Sequence, residues 1–242
     1  MAVDSPLNIS RSLLVALGTQ VLVHHQDRIP TETPVVVVSN HRSFMDAPAL
    51  MVALAKPVRI ACHHYMGQVP IMRDLVTQLG CFPLDAVAQR QQSFLLQGAE
   101  LLRSNQLVGV FPEGATPMVN LTKPQEVGRF HRGFAHLALR AQIPGLAVLP
   151  VAIAAQEEHQ VDALVPLKLL KLFDPAEPLF DHEGWHPVVL YKKLTISIGR
   201  PYWVTANSHD QYQGKQAKQV IRHLTDHCHQ EISTLLQQSM LY

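Results

Sequence analysis

Short runs of β-branched and aliphatic residues alternate with longer segments of helical periodicity along this chain. The clearest run, Val35 to Ser39, lies between Pro34 and Asn40, and its four consecutive valines are typical of a strand buried on both faces of a sheet. A predicted helix, Asp46 to Ala55, follows it and ends before Lys56-Pro57. The other predicted strands are Val58 to Ala61, Leu107 to Phe111, Ala147 to Ala154 and Val188 to Ile198, and the other predicted helices are Pro70 to Gln78, Gln89 to Asn105, Arg132 to Gln142 and Gln216 to Gln238. This alternation predicts an α/β fold in a single domain, with a mostly parallel central sheet flanked by helices.

The chain has 242 residues, a length that suits one domain, and we divide it into three parts. Residues 1–34 are predicted to form an N-terminal amphipathic helical segment, residues 35–205 the core, and residues 206–242 a C-terminal helix packed on that core. Within the first part, Ser12 to Val23 is predicted as an amphipathic or buried helix. Its run of about 12 residues is too short to span a bilayer. It therefore either packs on the core or contacts a membrane surface.

Composition excludes several classes of protein. Hydrophobic residues make up 47% of the chain and charged residues 16%, whereas disordered chains combine low hydrophobicity with high net charge. A net charge of +1 also excludes a chain built as a whole to bind nucleic acid. The three cysteines lie far apart in the sequence and do not suggest a disulfide framework. A reducing compartment, the cytoplasm, is the simpler expectation.

The first predicted strand leads directly into residues 40–46, Asn-His-Arg-Ser-Phe-Met-Asp. The carboxyl end of such a strand is where open α/β sheets place ligands. Across a strand-to-helix turn, the Asp46 carboxylate can fold back onto one imidazole nitrogen of His41, which leaves the other nitrogen as a proton acceptor. The alternative is structural, with His41 capping the helix and Asp46 binding backbone groups. The spacing alone does not choose between a general base and a cap.

A second motif, Phe111-Pro112-Glu113-Gly114, follows the strand predicted to begin at Leu107. Pro112 cannot donate to a strand ladder and ends the strand, which places Glu113 at the carboxyl edge of the sheet. Gly114 permits a tight turn. Glu113 could accept hydrogen bonds from a polyol or orient a neighbouring base, and its structural alternative is an acidic residue of a surface turn.

Together, residues 40–46 and 111–114 resemble the glycerolipid acyltransferase family, of the lysophosphatidic acid acyltransferase type. The similarity covers roughly residues 35–201, with four motifs in the family's order. Its further parts are Gly80 to Asp85, Phe130 to Gly133 with Ala138 and Pro144, Leu149 to Ile153, and Ile198 to Pro201.

The resemblance implies transfer of a fatty acyl group from an acyl-CoA or acyl-carrier-protein thioester to a hydroxyl of a lipid acceptor, with no cofactor or metal. His41 would remove the hydroxyl proton, and Asp46 would orient its imidazole. Glu113 and Gly114 would lie on the acceptor side, with Arg129 and Arg132 as the basic residues of that side. The expected partners are the thioester donor, the lipid acceptor and a membrane surface, but no nucleic acid.

The chain lacks three cations that are usual in the family's pattern. Ala86 stands where the family usually has an arginine that binds the acceptor phosphate, and His63 stands where a lysine is common. Residues 115–117, Ala-Thr-Pro, replace the usual Thr-Arg-Ser. The cations available to replace the missing ones are Arg42, Arg90, Lys123, Arg129 and Arg132. Since a buried phosphate needs charge-assisted partners, the acceptor is left open between lysophosphatidic acid and a lipid alcohol without phosphate.

The segment Leu164 to Phe173 is rich in leucine and contains Lys168 and Lys171. It is predicted either as a short interfacial helix, with lysines reaching anionic headgroups, or as a core helix with two solvent-exposed lysines. With the N-terminal segment, it predicts peripheral binding to the inner, cytoplasmic face of a membrane. His223 and His227 share a face of the last helix, which we interpret as solvated and not as a metal site.

Two other functions remain as alternatives. One is a catalytically idle relative that binds lipid or regulates, and the other is an acyl thioesterase that uses water in place of the acceptor hydroxyl.

Overall fold

The computed structural model describes residues 5–86, 88–119, 122–175, 177–181 and 185–239. Within these ranges the strands are β1 (Gln20–His24), β2 (Val35–Ser39), β3 (Val58–Cys62), β4 (Phe82–Pro83), β5 (Leu107–Val110), β6 (Ala147–Pro166), β7 (Trp185–Ile198) and β8 (Tyr202–Trp203). They form one sheet in the order β1-β7-β6-β2-β5-β3-β4, and β8 pairs with β6.

Helices cover both faces of the sheet. The described helices are α1 (Pro6–Ala16), α2 (Asp46–Leu54), α3 (Pro70–Gln78), α4 (Arg90–Arg103), α5 (Thr116–Val119), α6 (Gly133–Arg140), α7 (Leu167–Leu170), α8 (Ala206–Gln213) and α9 (Ala217–Ser239). Successive residues of β2 point to opposite faces, so Val35 and Val37 join a core with α1, α2 and α3, whereas Val36 and Val38 join a core with α4, α6 and α9. In the described part of the chain, no helix combines the length and the hydropathy needed to cross a membrane.

Strand direction brings the two predicted motifs together. Strands β2, β5 and β3 are parallel to one another, as are β2 and β6 and also β3 and β4. Strand β7 is antiparallel to β6. Because β2 and β5 are neighbours, the loops at their carboxyl ends, residues 40–46 and 111–114, lie side by side at one edge of the sheet. The prediction of an α/β fold with a mostly parallel sheet is confirmed.

The predicted helix from Ser12 to Val23 is wrong. Helix α1 ends at Ala16, and Gly18 then adopts a φ of 67°, a left-handed conformation that stops a helix. Residues Gln20–His24 form β1 instead, paired in parallel with β7 at the edge of the sheet. The N-terminal segment therefore contributes a strand to the core as well as a helix. Residues 1–4 of the predicted segment lie outside the described residues.

Strands β6 and β7 are longer than predicted. β6 continues to Pro166, well beyond Ala154, and β7 begins at Trp185, so the two form an extended antiparallel hairpin. The helix predicted over Leu164 to Phe173 shrinks to the single turn of α7, because its first residues belong to β6.

The C-terminal segment holds two helices where the sequence predicted one. Helix α9 confirms the long predicted helix, and α8 precedes it. Helix α8 begins with a capping box, in which the Thr205 side chain accepts from the Ser208 amide and the Ser208 side chain accepts from the Thr205 amide. The spacing of Thr205 and Ser208 was visible in the sequence, but so short a pattern did not lead to a prediction of α8. Residues 240–242 lie outside the described residues.

Gly109 of β5 is needed because the side chains of β3 occupy the space beside it. A Cβ at this position would lie 2.2 Å from Ile60 Cδ1 and 2.8 Å from Val58 Cγ1. We expect Gly109→Ala to lower the free energy of unfolding by about 1–3 kcal/mol, since overpacking a dense core forces strain. Urea denaturation measures the change. Gly133→Ala is the matched control, because its Cβ would meet Phe94 at an ordinary 3.6 Å. Equal stability of the two variants would contradict the packing described.

Candidate active site

The Asp46 carboxylate accepts four hydrogen bonds at the turn that follows β2. Its Oδ2 accepts from His41 Nδ1 at 2.8 Å, from the Arg42 amide at 2.7 Å and from the Ser43 amide at 2.8 Å. Its Oδ1 accepts from the Tyr191 hydroxyl at 2.8 Å. Asp46 is only 1% exposed, so these donors replace the water that a buried carboxylate has lost.

The His41 ring is fixed on two sides. Nδ1 is held by Asp46, and the ring stacks on Phe111 with a centroid distance of 4.1 Å and an interplanar angle of 7°. Among the described residues, Nε2 has no hydrogen-bond partner, and His41 lines a cavity. When the Nδ1 proton is donated to a carboxylate, Nε2 carries the lone pair. The structure brings His41 and Asp46 together as predicted, in an arrangement that suits a general base.

Backbone clamps set the position of this turn. The Asn40 side chain donates from Nδ2 to the Ile153 carbonyl at 2.9 Å and accepts at Oδ1 from the Ile153 amide at 2.8 Å. Asn40 directly follows Ser39, the last residue of β2, and its side chain thus pairs with the backbone of β6. The end of β2 is therefore tied to its neighbouring strand, which fixes the direction in which the chain presents His41.

Glu113 lies beneath the turn and not in the cavity wall. Its Oε1 accepts from the His41 amide at 3.0 Å, and its Oε2 accepts from the Gly128 amide at 2.5 Å. A Cβ at residue 128 would lie 2.9 Å from Oε2, so glycine allows this close approach. Burial raises the pKa of Glu113, and the two amides oppose that rise. Both carboxylate oxygens bind backbone, and these contacts position the turn. The contact of Glu113 with an acceptor stays a prediction.

A cavity of about 820 Å³ opens beside His41. Its lining is mainly apolar and comes from both the sheet and the helices. Representative apolar residues of the lining are Ile60, Leu75, Val76, Leu79, Phe94 and Phe134. The volume and the lining suit a long aliphatic group of a ligand.

The predicted acceptor residues divide between the cavity and the surface. Gly114, with a φ of 69°, and Arg132 both line the cavity. Arg129 is exposed and does not belong to the lining in the described part of the chain.

The other predicted cations also have fixed places. Arg42 forms a buried ion pair with Glu158, with Nη2 and Oε1 2.5 Å apart, and this pairing raises the pKa of Arg42. Lys123 lies at the surface beside Glu126. Arg90 lines the cavity. Neither Arg42 nor Lys123 is positioned to meet an anion in the cavity.

A cluster of four ionisable side chains stands at another part of the cavity, where β3 ends. His63 Nε2 lies 2.6 Å from Glu177 Oε2, and His63 Nδ1 lies 3.6 Å from Asp174 Oδ2. Arg90 Nη2 lies 3.2 Å from the same Glu177 oxygen and 3.8 Å from the Asp174 oxygen. Burial lowers the pKa of His63, and the positive charge of Arg90 lowers it further. We call this group the β3 cluster.

Sequence reasoning missed Tyr191 and the acidic members of the β3 cluster. Tyr191 carried a weak signal, as a single tyrosine among the aliphatic residues of a predicted strand. Asp174 and Glu177 carried none, because they approach His63 only through the fold of the segment between β6 and β7.

A comparison with protein families identifies the family of this chain. The family model described as Acyltransferase matches residues 20–154, more than half of the chain, and includes both the His41 and the Glu113 motifs. The chain belongs to the acyltransferase family. Its predicted resemblance to that family is therefore confirmed.

Two curated relatives of this acyltransferase-family chain carry the name 1-acyl-sn-glycerol-3-phosphate acyltransferase. The chloroplastic LPAT1 of Arabidopsis thaliana is 31% identical over 124 residues, which cover 51% of this chain and 32% of that protein. The Borreliella burgdorferi protein is 21% identical over 165 residues, which cover 68% of this chain and 63% of that protein. The chain thus spans less than two thirds of the length of either relative.

The fold of this family member also occurs in a solved structure. The crystal structure of the 1-acyl-sn-glycerophosphate acyltransferase PlsC from Thermotoga maritima superposes with a TM-score of 0.58 at 17% sequence identity. The match covers 96% of this chain and 77% of that one. At this identity the likeness concerns the fold alone, and it agrees with the sheet and helix layers described above.

Tyr191→Phe tests whether Asp46 depends on its fourth donor. The change removes the hydroxyl that binds Oδ1 and leaves a buried carboxylate oxygen without that partner, which we expect to lower the free energy of unfolding by about 1–3 kcal/mol. Urea denaturation measures the loss. Tyr212→Phe is the control, because its hydroxyl bonds the half-buried His136 ring and should cost less. Wild-type stability of Tyr191→Phe would contradict the role given to Tyr191.

Proposed function

We propose that this chain transfers a fatty acyl group from an acyl-CoA or acyl-carrier-protein thioester to a hydroxyl of a lipid acceptor. One observation carries the proposal: an imidazole held by a buried carboxylate faces a large apolar cavity. The imidazole suits deprotonation of an alcohol, and the apolar cavity suits a fatty chain. Membership of the acyltransferase family supports the same reaction.

In the proposed reaction, His41 Nε2 accepts the proton of the acceptor hydroxyl as its oxygen attacks the thioester carbonyl. The new carbon–oxygen bond forms, and the carbon–sulfur bond then breaks. The imidazolium returns its proton to the departing thiolate, so the products are an ester and a free thiol. The negative charge of Asp46 stabilises the imidazolium between these two steps.

Side chains around the cavity support direct transfer without a covalent acyl-enzyme. Burial raises the pKa of the Cys62 thiol, and it raises that of Cys81 to about 12, so neither cysteine is a thiolate at neutral pH. The Ser43 hydroxyl donates to the Val189 carbonyl at 2.6 Å and is held away from any substrate. His41 would then act on the acceptor itself.

Two predicted site residues keep a substrate role in this proposal. Arg132 and Gly114 line the cavity. In the proposed complex, Arg132 would bind an anionic part of a substrate, and Gly114 would allow the backbone to approach it closely. The amides of His41, Arg42 and Ser43 already donate to Glu113 or Asp46. They are therefore engaged in shaping the turn and are poor candidates for an oxyanion site. Lysophosphatidic acid is the first acceptor to test, because the names of the curated relatives specify it.

His41→Ala is expected to reduce acyl transfer by about 10²–10⁴-fold, the usual contribution of a general base. The assay follows thioester consumption and ester formation by purified protein, with and without lipid acceptor. His159→Ala is the matched control, since His159 is an exposed residue of β6. Circular dichroism establishes that both variants are folded.

The same assay separates the alternative functions. Thioester consumption that needs the acceptor supports transfer, whereas equal consumption without acceptor indicates a thioesterase. No consumption by the wild-type protein indicates an idle relative. Near-normal transfer by His41→Ala would refute the proposed base.

We further propose that the end of the β6–β7 hairpin docks on the inner, cytoplasmic face of a membrane. The exposed apolar side chains there are Leu169, Leu172, Phe173 and Trp185, and Leu172 is 73% exposed. Beneath them, Leu167, Leu170 and Phe180 pack on Tyr65, which lines the cavity. A membrane that met this surface would lie beside the route of a lipid into the cavity.

The double variant Leu172→Glu with Phe173→Glu tests membrane docking. Burial of one such side chain contributes about 1.5–3 kcal/mol, so we expect the fraction bound to phosphatidylglycerol-containing vesicles to fall by about tenfold or more. Flotation with those vesicles measures the bound fraction. Leu96→Glu is the control, because Leu96 is 64% exposed but lies on α4. Equal losses in both variants would argue against a specific surface.

A further inference from the structure

Helix α6 carries a row of nitrogen-bearing side chains that begins at the cavity. Arg132, His136 and Arg140 follow one another at intervals of four residues, and side chains four residues apart share a face of a helix. Arg132 and His136 line the cavity, whereas Arg140 lies at the far end of the helix. Eight residues of α-helix rise about 12 Å, so these side chains lead away from the cavity over that distance. We call the three residues the α6 row.

The two arginines of the α6 row have no anionic partner in the described part of the chain. Both are exposed, and neither side chain forms an ion pair or a hydrogen bond there, although Glu100 of α4 and Asp210 of α8 are exposed on the neighbouring helices. Burial lowers the pKa of His136, and the nearby positive charges of Arg132 and Arg140 lower it further. Both charges therefore lie close to one ring. Because the net charge of the whole chain is only +1, an anionic substrate must be met by a local group of this kind.

His136 adds a hydrogen-bond donor between the two positive charges. Its Nδ1 lies 3.0 Å from the Tyr212 hydroxyl, and the two rings meet edge to face. When Nδ1 accepts from this hydroxyl, Nε2 carries the ring proton. Within the described residues Nε2 has no hydrogen-bond partner, so it is available to donate to an oxyanion. The α6 row thus offers donors only, which suits a phosphate group.

The α6 row begins close to the proposed base. The Phe111 ring stacks on the His41 ring, and the carbonyl of the next residue, Pro112, accepts from the His131 amide at 2.8 Å. Arg132 follows His131 directly in the chain. The first arginine of the row therefore stands beside the site, and the second stands about 12 Å farther along the helix.

This distance distinguishes between the phosphates of the two substrates. In a glycerol 3-phosphate acceptor, about four bonds, or roughly 5 Å, separate the attacking oxygen at C2 from the phosphorus. In the thioesters of CoA and of acyl-carrier protein, a pantetheine arm of about thirteen bonds, or roughly 15 Å when extended, separates the sulfur from the phosphorus. A row of donors that leads away from His41 suits the longer arm.

An anionic membrane surface is another source of phosphate groups. Helices that bind membrane surfaces bury an apolar face beside their basic residues. In the described chain, none of the large apolar side chains that are exposed belongs to α6. The α6 row therefore favours a phosphate presented by a substrate over one presented by a bilayer.

We propose that the α6 row binds the phosphate at the end of the pantetheine arm of the acyl donor. This inference rests on the proposed acyl transfer and identifies how the donor is held. Acyl-CoA and acyl-carrier protein share this phosphate, so the same site serves either donor. The acyl chain enters the apolar cavity, the thioester lies at His41, and the arm follows α6 outward. The anionic group bound by Arg132 is then the phosphate of the donor.

Thioether analogues of the donor, which cannot react, test the inference independently of acyl transfer. They are S-octyl-pantetheine, its 4′-phosphate and S-octyl-CoA, each titrated into the purified full chain by isothermal titration calorimetry. We expect the 4′-phosphate to bind about tenfold or more tightly than the phosphate-free arm, because the phosphate adds charge-assisted hydrogen bonds.

Substitutions in the α6 row connect this preference to its residues. Arg132→Gln and Arg140→Gln should each weaken binding of the two phosphate-bearing analogues by about five- to tenfold and leave binding of the phosphate-free arm unchanged. Arg132→Lys and Arg140→Lys keep the charge and should retain most of the binding. Arg11→Gln is the matched control, because Arg11 is an exposed residue of α1, on the opposite face of the sheet.

Kinetics with real donors distinguish the possible sources of the phosphate. The glutamine variants should lower kcat/KM for palmitoyl-CoA and for palmitoyl-carrier protein by similar factors, with lysophosphatidic acid as acceptor and its KM unchanged. Losses confined to the carrier protein would indicate a protein surface, and a raised KM for lysophosphatidic acid alone would return Arg132 to the acceptor side. Weaker flotation of both variants with phosphatidylglycerol-containing vesicles would indicate a membrane contact. Each of these three results would overturn the inference.

The outcomes separate this inference from the proposed function. Equal binding of the phosphate-free arm and its 4′-phosphate, with transfer that depends on His41, would overturn the inference and leave acyl transfer standing. Phosphate-dependent binding that needs the α6 row, without transfer by the wild-type protein, would refute the proposed function and support the phosphate site.

Discussion

The geometry of the site depends on the hydrogen bonds that the Asp46 carboxylate accepts. One buried group binds the His41 ring, the two amides that follow it and a hydroxyl from β7. It therefore orients the His41 ring and fixes the shape of the turn. It also joins that turn to β7 through Tyr191. A carboxylate suits this place because it only accepts hydrogen bonds and all four partners donate. Loss of its charge would disturb structure and chemistry together.

Two further polar contacts hold the turn in place within the sheet. Asn40 pairs with the β6 backbone at Ile153, and Glu113 joins the His41 amide to the loop at Gly128. The reactive ring is thereby fixed relative to β2, β5 and β6. Such fixation matters for a base, because proton transfer needs the nitrogen at hydrogen-bond distance from its substrate. Glu113 contributes to this fixation through both of its carboxylate oxygens.

The segment between β6 and β7 supplies ionisable and apolar side chains next to the cavity. It contributes Asp174 and Glu177 to the cluster around His63, and it carries the exposed apolar residues beside Tyr65. One segment of the chain thus supplies both polar and apolar groups beside the cavity, while the loops after β2 and β5 carry His41 and Glu113. Loops on a rigid sheet can change substrate preference while the reactive pair is retained.

The sequence alone indicated strands β2, β3, β5 and β6, the main helices between them and the burial of β2, because all of these follow from local periodicity. It also singled out His41 and Asp46, five positions apart, as a candidate pair, and left open whether they form a base or a cap. It misjudged Ser12 to Val23, where a glycine in a left-handed conformation and pairing with β7 produced a strand in place of a helix. Only the tertiary structure decided that Tyr191 binds Asp46, that Glu113 binds backbone, and that Asp174 and Glu177 face His63. Glu113 and His41 are 72 positions apart and Tyr191 and Asp46 are 145 positions apart, and no local pattern encodes contacts over such separations. Buried polar groups need hydrogen-bond partners, and the packing of the strands and helices decides which groups become those partners.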